Sequence, residues 1–261
     1  MLNFAHGDVI MVGAYASYCM TIYLGLPPIV GLLAAMVVCT ILGIIIEGLA
    51  YKPLRGTSNL AVLITAIGVS YFLQNAAQLI FGSAQKTYTS IVTFAPLKIF
   101  GGQLTITGEV IVTILASVLI MVGLTLFTTK TKMGKAMRAV SEDRAAAQLM
   151  GINVNQTISM TFAIGSALAA IAGVLLCSTV PTLQPTTGSM PGIRAFTAAV
   201  FGGIGSIPGA MLGGILLGII ETMTKAYLST KFSDAIVFLV LIIVLLVKPA
   251  GLMGKVVQEK V

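Results

Sequence analysis

Residues 29–46 read Ile29-Val-Gly-Leu-Leu-Ala-Ala-Met-Val-Val-Cys-Thr-Ile-Leu-Gly-Ile-Ile-Ile46. The stretch carries no charge and no alternation, so it is apolar on every side. A membrane β-strand alternates apolar and polar residues over about 10 positions. A spanning helix instead needs about 20 apolar residues to cross a core of about 30 Å. The run therefore predicts a membrane helix. Comparable runs lie at 9–25, 28–50, 60–81, 109–129, 156–180, 195–222 and 233–247. The expected fold is all-α: a polytopic membrane helix bundle of about 7–8 hydrophobic segments, in one transmembrane domain over residues 1–261.

Composition agrees. The 261 residues are 57% hydrophobic and 9% charged, with a mean hydropathy of +1.03. A soluble domain holds roughly 45–50% apolar and about 25% charged residues, so a soluble globule, a disordered chain and a nucleic-acid module are excluded. Cys19, Cys39 and Cys177 sit inside apolar runs with no CxxC spacing, which suits small hydrophobes in helix packing. His6 is the sole histidine and has no Cys or Asp cluster around it, so no metal site is expected. Residues 1–8 hold no basic region of the kind that precedes a cleaved signal segment.

The net charge of +7 reads as topology. Loop 51–59 holds Lys52 and Arg55 without an acid, and loop 130–155 holds Lys130, Lys132, Lys135, Arg138 and Arg144 against Glu142 and Asp143. Loop 82–108 carries only Lys86 and Lys98. The positive-inside rule puts the first two loops in the cytoplasm and the third outside. The tail, with Lys248, Lys255 and Lys260 against Glu259, belongs in the cytoplasm too. That parity fails if 195–222 is one crossing. The run contains Gly202-Gly203-Ile204-Gly205-Ser206-Ile207-Pro208-Gly209, a poor helix interior. A break at Gly202, Gly203, Gly205 and Pro208 divides it into pieces of about 195–203 and 209–222, as a re-entrant hairpin or two short spans. Irregular backbone at that depth must be packed in protein or line a cavity.

Acids within the spans lie near their ends: Asp8, Glu47, Glu109 and Glu221. A charge at the bilayer centre costs about 2.5–3.5 kcal/mol on insertion scales, whereas Glu47 can pair with Lys52 or Arg55. Ion-coupled carriers usually place a carboxylate near mid-membrane, and none is found. Tyr71, Gln74, Asn75 and Gln78 recur at spacings of three and four, forming a polar stripe on one helix. The stripe serves either hydrogen bonding between helices or a wall of a translocation path. Asn3 and His6, in Asn3-Phe4-Ala5-His6-Gly7-Asp8, have the same two readings: a structural turn before the first span, or a contact on the path. Small residues spaced by four (Gly165/Ala169/Gly173, Gly209/Gly213, Gly214/Gly218) predict close helix approach.

Within loop 130–155, Ser141 followed by acids and by Ala145-Ala146-Ala147 predicts an N-cap and a helix of two to three turns. Gly151 suits its C-terminal cap. Either anionic lipid holds this basic segment, at about 1 kcal/mol per basic residue, or it docks a cytoplasmic protein. The apolar Leu149, Met150 and Ile152 favour docking.

This loop resembles the coupling loop of ABC importer permeases, whose pattern is E-A-A-x-x-x-G. Ala146, Ala147 and Gly151 match it, with Ala145 in place of the glutamate. Asn3-Phe4-Ala5-His6-Gly7, Tyr51-Lys52-Pro53-Leu54-Arg55, Gly134-x-Ala136-Met137-Arg138-Ala139, Gly202-Gly203-Ile204-Gly205-Ser206 and Lys248-Pro249-x-Gly251-Leu252-x-Gly254 resemble the branched-chain amino-acid permease family. The likeness is to its H-type subunit and runs from Leu2 to Gly254. Family members usually carry another hydrophobic segment before Asn-Phe-Ala-His-Gly, so the chain reads one segment short.

The resemblance implies a pore subunit of the bacterial plasma (inner) membrane, multi-pass, with a cytoplasmic C-terminus. It implies a second, M-type permease, two cytoplasmic ATPase subunits carrying ATP-Mg, and an extracytoplasmic substrate-binding protein. Membrane lipid surrounds it, and no nucleic acid is implied. Gly134, Arg138, Ala146, Ala147 and Gly151 would form the ATPase-coupling loop. The chain itself lacks G-x-x-x-x-G-K-[ST], since Gly134-Lys135 precedes Ala136, so no cofactor and no enzymatic step are expected on it. The other readings are a permease for urea or short amides, an ion-coupled transporter acting alone, and a non-transporting assembly subunit.

Overall fold

The computed structural model describes residues 4–92, 94–99 and 104–254. Six helices among them are long and apolar enough to cross a membrane: Pro28–Tyr51, Leu60–Phe81, Gly108–Lys130, Val154–Thr179, Ile207–Tyr227 and Thr230–Val247. In chain order, α1 is His6–Tyr18, extended by a π-turn to Tyr23, and α2 is Pro28–Ile46, extended by a π-turn to Tyr51. Then come α3 (Asn59–Phe81), α4 (Gly108–Lys130), α5 (Lys132–Glu142), α6 (Arg144–Leu149) and α7 (Val154–Thr179). The chain continues with α8 (Ser189–Gly202), α9 (Ile207–Tyr227) and α10 (Ser233–Val247). Short strands complete it: β1 (Lys86–Thr87), β2 (Leu97–Ile99), β3 (Leu104–Ile106) and β4 (Thr182–Leu183). This is the multi-pass helical fold of a membrane protein. α1 and α8, at 13 and 14 residues, are the shorter apolar helices, and with them the segments reach the expected number.

The helices form two compact units. One comprises Met1–Leu119 with Leu126–Gly192, the other Ile120–Thr125 with Ile193–Val261. The first is built on α1, α2 and α7, which meet at glycines. A Cβ on Gly13 would lie 2.6 Å from the Ala170 Cα, and one on Gly43 would lie 2.7 Å from the Ser166 Cβ. A Cβ on Gly173 would collide with the Ile10 carbonyl. Val9, Met11, Ala14, Tyr15, Ala35, Cys39, Ala170 and Cys177 fill the space between these crossings.

Three local expectations shift. The polar stretch before the first span is not a free turn: His6, Gly7 and Asp8 form the first turn of α1, because the Ala5 carbonyl accepts from both Asp8 and Val9. α9 runs to Tyr227 rather than 222, since Glu221 and Lys225 pair at 2.5 Å and neutralise each other one turn apart. Loop 82–108 is partly ordered by pairing. β2 pairs with β3, and β1 pairs with β4, bringing Lys86 opposite Leu183. Tyr88 follows β1 into the first unit's core and shares a 2.8 Å hydrogen bond with the Ser17 hydroxyl. Burial pushes its phenol pKa up, against the pull of that hydrogen bond.

The second unit has a small buried core of Phe201, Leu217 and Val237. α9 packs on α10, and α8 lies close to α9, because a Cβ on Gly209 would stand 2.5 Å from the Gly202 carbonyl oxygen.

Candidate functional site

Residues 130–155 fold as two helices rather than one. Thr131 caps α5: its hydroxyl donates to the Phe127 carbonyl at 2.7 Å and accepts from the Gly134 amide at 3.0 Å. Gly134 sits where a side chain would collide with the backbone of Phe127 and Thr128, so α5 turns tightly off the end of α4. The cap of the second helix is Asp143, whose carboxylate accepts from the amides of Ala145 at 2.8 Å and Ala146 at 3.1 Å. Ser141 does not cap it. That residue lies inside α5 and donates back to the Arg138 carbonyl, and a carboxylate at a helix N-terminus also gains from the macrodipole. Gly151 closes α6 as expected, at φ +81°, with its amide on the Gln148 carbonyl.

The outcome is a buried Ala147 under an exposed tip. Leu149 and Met150 are 88% and 83% exposed, and Lys132, Lys135, Arg138 and Arg144 of α5 and α6 are exposed cations, with the acids Glu142 and Asp143 exposed between them. Ala146 is exposed beside them.

Loop 51–59 is tied to the start of α7. Arg55 pairs with Glu47 and also donates to the Asn155 side chain, while Ser159 donates to Glu47 at 2.6 Å. Glu47 is 2% exposed. The expected Glu47 partner is therefore Arg55, and the reach to Asn155 is an addition that sequence spacing does not show.

The polar stripe of α3 divides. Gln74 turns inward: its amide donates to Asp8 at 3.0 Å and to the Ser189 hydroxyl at 3.1 Å, and Ser70 donates to the other Asp8 oxygen. Beside this network a Cβ on Gly7 would lie 2.5 Å from the Gly188 carbonyl oxygen, so the start of α1 passes the start of α8 backbone to backbone. Tyr71, Asn75 and Gln78 are exposed, and Asn75 donates to the Tyr71 carbonyl of its own helix at 2.7 Å. The four are thus not one surface. His6 is half-buried at the start of α1 near Gly165, where a Cβ would lie 3.9 Å from its imidazole. Asn3 lies outside the described residues, as do Lys255, Glu259 and Lys260.

The glycine break is real. α8 stops at Gly202, Gly203 and Gly205 take φ of +111° and +91°, and Ser206 caps α9 by accepting from the Gly209 amide at 3.1 Å. Pro208 occupies the first turn of α9, where a missing amide costs nothing. The break is packed by the closing motif of the chain. Leu252 and Met253 donate to the carbonyls of Phe201 and Gly202, both at 2.9 Å. Gly251 lies where a Cβ would be 2.6 Å from the Gly203 Cα.

One residue the sequence reading passed over is Arg194. It pairs with Glu221 at 2.9 Å and Asp234 at 2.6 Å, joining α8, α9 and α10 beside a cavity of about 270 Å³. Its signal is a lone cation entering an apolar run, but its two partners lie 27 and 40 positions away, beyond any local pattern. Among the described residues no three His, Cys, Asp or Glu side chains gather as a metal site.

Residues 1–245 match the family described as branched-chain amino acid transport system / permease component. The chain is 44% identical over its whole length to the high-affinity branched-chain amino acid transport system permease protein LivH of Escherichia coli, covering 88% of that protein. It is 42% identical to BraD, of the same description, from Pseudomonas aeruginosa, again over all of this chain and 88% of the relative. A probable branched-chain amino acid transport permease protein LivH of Methanocaldococcus jannaschii is 33% identical over 97% of this chain and 82% of its own length. No solved structure matches the chain. With the matched residues running through every helix of both units, the chain belongs to the permease component family of branched-chain amino acid transport systems.

Proposed function

We propose that this permease is the pore subunit of an ATP-driven importer of leucine, isoleucine and valine. The observation that carries the proposal is identity over the whole of this chain to permeases named for high-affinity branched-chain amino acid transport. The α5–α6 tip adds the mechanical part. A permease without a phosphate loop needs an external source of work, and Leu149 and Met150 present an exposed apolar tip at the end of α6. Two ATPase subunits, holding ATP-Mg, would close on one another and push this tip. Gly134 sets the angle of α5 against α4, Arg138 is an exposed cation of α5, and Ala146, Ala147 and Gly151 shape α6. The remaining partners are an M-type permease and an extracytoplasmic binding protein. The basic loops 51–59 and 130–155 and the C-terminus face the cytoplasm, in the inner membrane.

Co-purification tests the coupling. The double variant Leu149→Asp/Met150→Asp should lose the ATPase while remaining monodisperse in detergent, because both side chains already lie in solvent. Undiminished ATPase recovery sinks the coupling role. ATP-dependent leucine uptake by the assembled complex in liposomes tests the substrate, and urea uptake without leucine uptake would reassign it.

A further inference from the structure

Arg194, Glu221 and Asp234 form a polar cluster that neither the coupling tip nor the glycine break uses. Arg194 and Glu221 line the 270 Å³ cavity, and its other walls include Ala198, Gly214, Leu217, Gly218 and Val237. The cavity thus has a charged end and an aliphatic end. Glu221 and Asp234 lie toward the ends of α9 and α10, where an ionisable cluster open to water can receive polar cargo. A well-packed apolar contact would hold three helices together as well as these charges do.

The pairing leaves room for a guest. Arg194 is shared between two carboxylates, and Glu221 receives Arg194 and Lys225 on one oxygen, Oε1, leaving Oε2 outside both pairs. Asp234 is the most exposed of the three, at 44% against 38% for Arg194 and 16% for Glu221, so water can take it back most easily. The aliphatic end is likewise open. Gly214 and Gly218 follow the spacing of a close helix contact, yet a Cβ on Gly218 would meet nothing within 4 Å.

We infer that this cavity is a binding site for the zwitterion of an aliphatic α-amino acid. The carboxylate takes the Arg194 guanidinium in place of Asp234, in the bidentate geometry that suits the pair. The ammonium meets Glu221, and the side chain lies against Ala198, Leu217 and Val237. Small-molecule pockets run from about 300 Å³ upward for drug-sized ligands, so a slightly smaller space suits one amino acid. The inference rests on the amino-acid permease reading.

The test uses the complete transporter in liposomes, with the binding protein saturating and uptake of leucine and valine measured separately. Gly218→Val adds methyl groups to the open aliphatic end. It should lower the leucine-to-valine rate ratio by about 10-fold, the discrimination that one methylene gives in an apolar pocket. Arg194→Lys should slow both amino acids, because an ammonium cannot hold a carboxylate through two parallel bonds. An unchanged leucine-to-valine ratio in Gly218→Val, or an equal loss for both, overturns the site while leaving the permease reading intact. Failure of the wild-type complex to carry either amino acid overturns both.

Discussion

Glycine brings helices into contact in both units, at Gly209 and Gly213 against α8 in the second, but there it also does other work. In the first, Gly13, Gly43 and Gly173 let α1, α2 and α7 cross with backbones in contact, and a side chain at any of them would strike a neighbouring helix. In the second, Gly203 and Gly205 stop a helix, while Gly218 opens onto a cavity. Polar groups follow the same division. Glu47 and Asp8 are 2% and 1% exposed and sit in networks with neighbouring helices, whereas Arg194, Glu221 and Asp234 stay partly exposed beside open space. Small-residue density in a membrane helix thus carries two signals. Tight crossings hold helix backbones together, and breaks or empty faces leave space beside them.

Removing one cation from each unit should separate the two most strongly. Arg55→Ala takes the guanidinium from Glu47 and leaves that carboxylate buried against the Ser159 hydroxyl. Losing one side of a buried pair costs about 3–5 kcal/mol, so thermal unfolding in detergent should show a large loss. Lys225→Ala removes an exposed i,i+4 pair from Glu221, which still has Arg194, and should cost no more than about 1 kcal/mol. Equal losses would mean that the first unit is no more tightly built than the second.

A second pair of variants sharpens the role of glycine itself. Gly173→Ala drives a methyl group into the Ile10 carbonyl, and helix backbones cannot yield as flexible side chains do. Overpacking of this kind costs about 1–3 kcal/mol. Gly218→Ala places the same methyl group in open space within α9 and should stabilise by roughly 0.5–1 kcal/mol, because alanine is the better helix former. Opposite signs in the two melting temperatures support the distinction, and a common sign would dissolve it.

Much of the fold was legible because its signals are local. Apolar runs such as 29–46 set the helices, and the glycines of 202–205 together with charge parity located a break that the backbone confirms at positive φ. The cap at Asp143 is easily mistaken for one at Ser141 because both residues precede an alanine run, and which one caps depends on where α5 ends. The clasp of 251–254 on 201–203 was out of reach for another reason: it joins two motifs that are both visible in sequence, across a separation that no periodicity spans. Arg194 shows the same limit. A helix face is readable from spacing, but what it faces is decided by packing.

That limit also shapes the smallest expected effect, on α3, where one polar row serves two purposes. Gln74 is tied to Asp8 and Ser189, while Asn75, the next residue, bonds to the Tyr71 carbonyl of its own turn. Asn75→Ala removes no hydrogen bond to another helix among the described residues, so stability should stay within about 0.5 kcal/mol, as for surface substitutions in general. Asn75 sits with Tyr71 and Gln78 on an exposed face of a membrane helix, a polar row beside apolar neighbours. We propose that this row faces the aqueous translocation path, with His6 at the start of α1 as a further contact on it. Uptake by Asn75→Ala should then fall while its melting temperature holds. Wild-type uptake with wild-type stability would remove the exposed row from the path and leave it to hydrogen bonding with a partner helix.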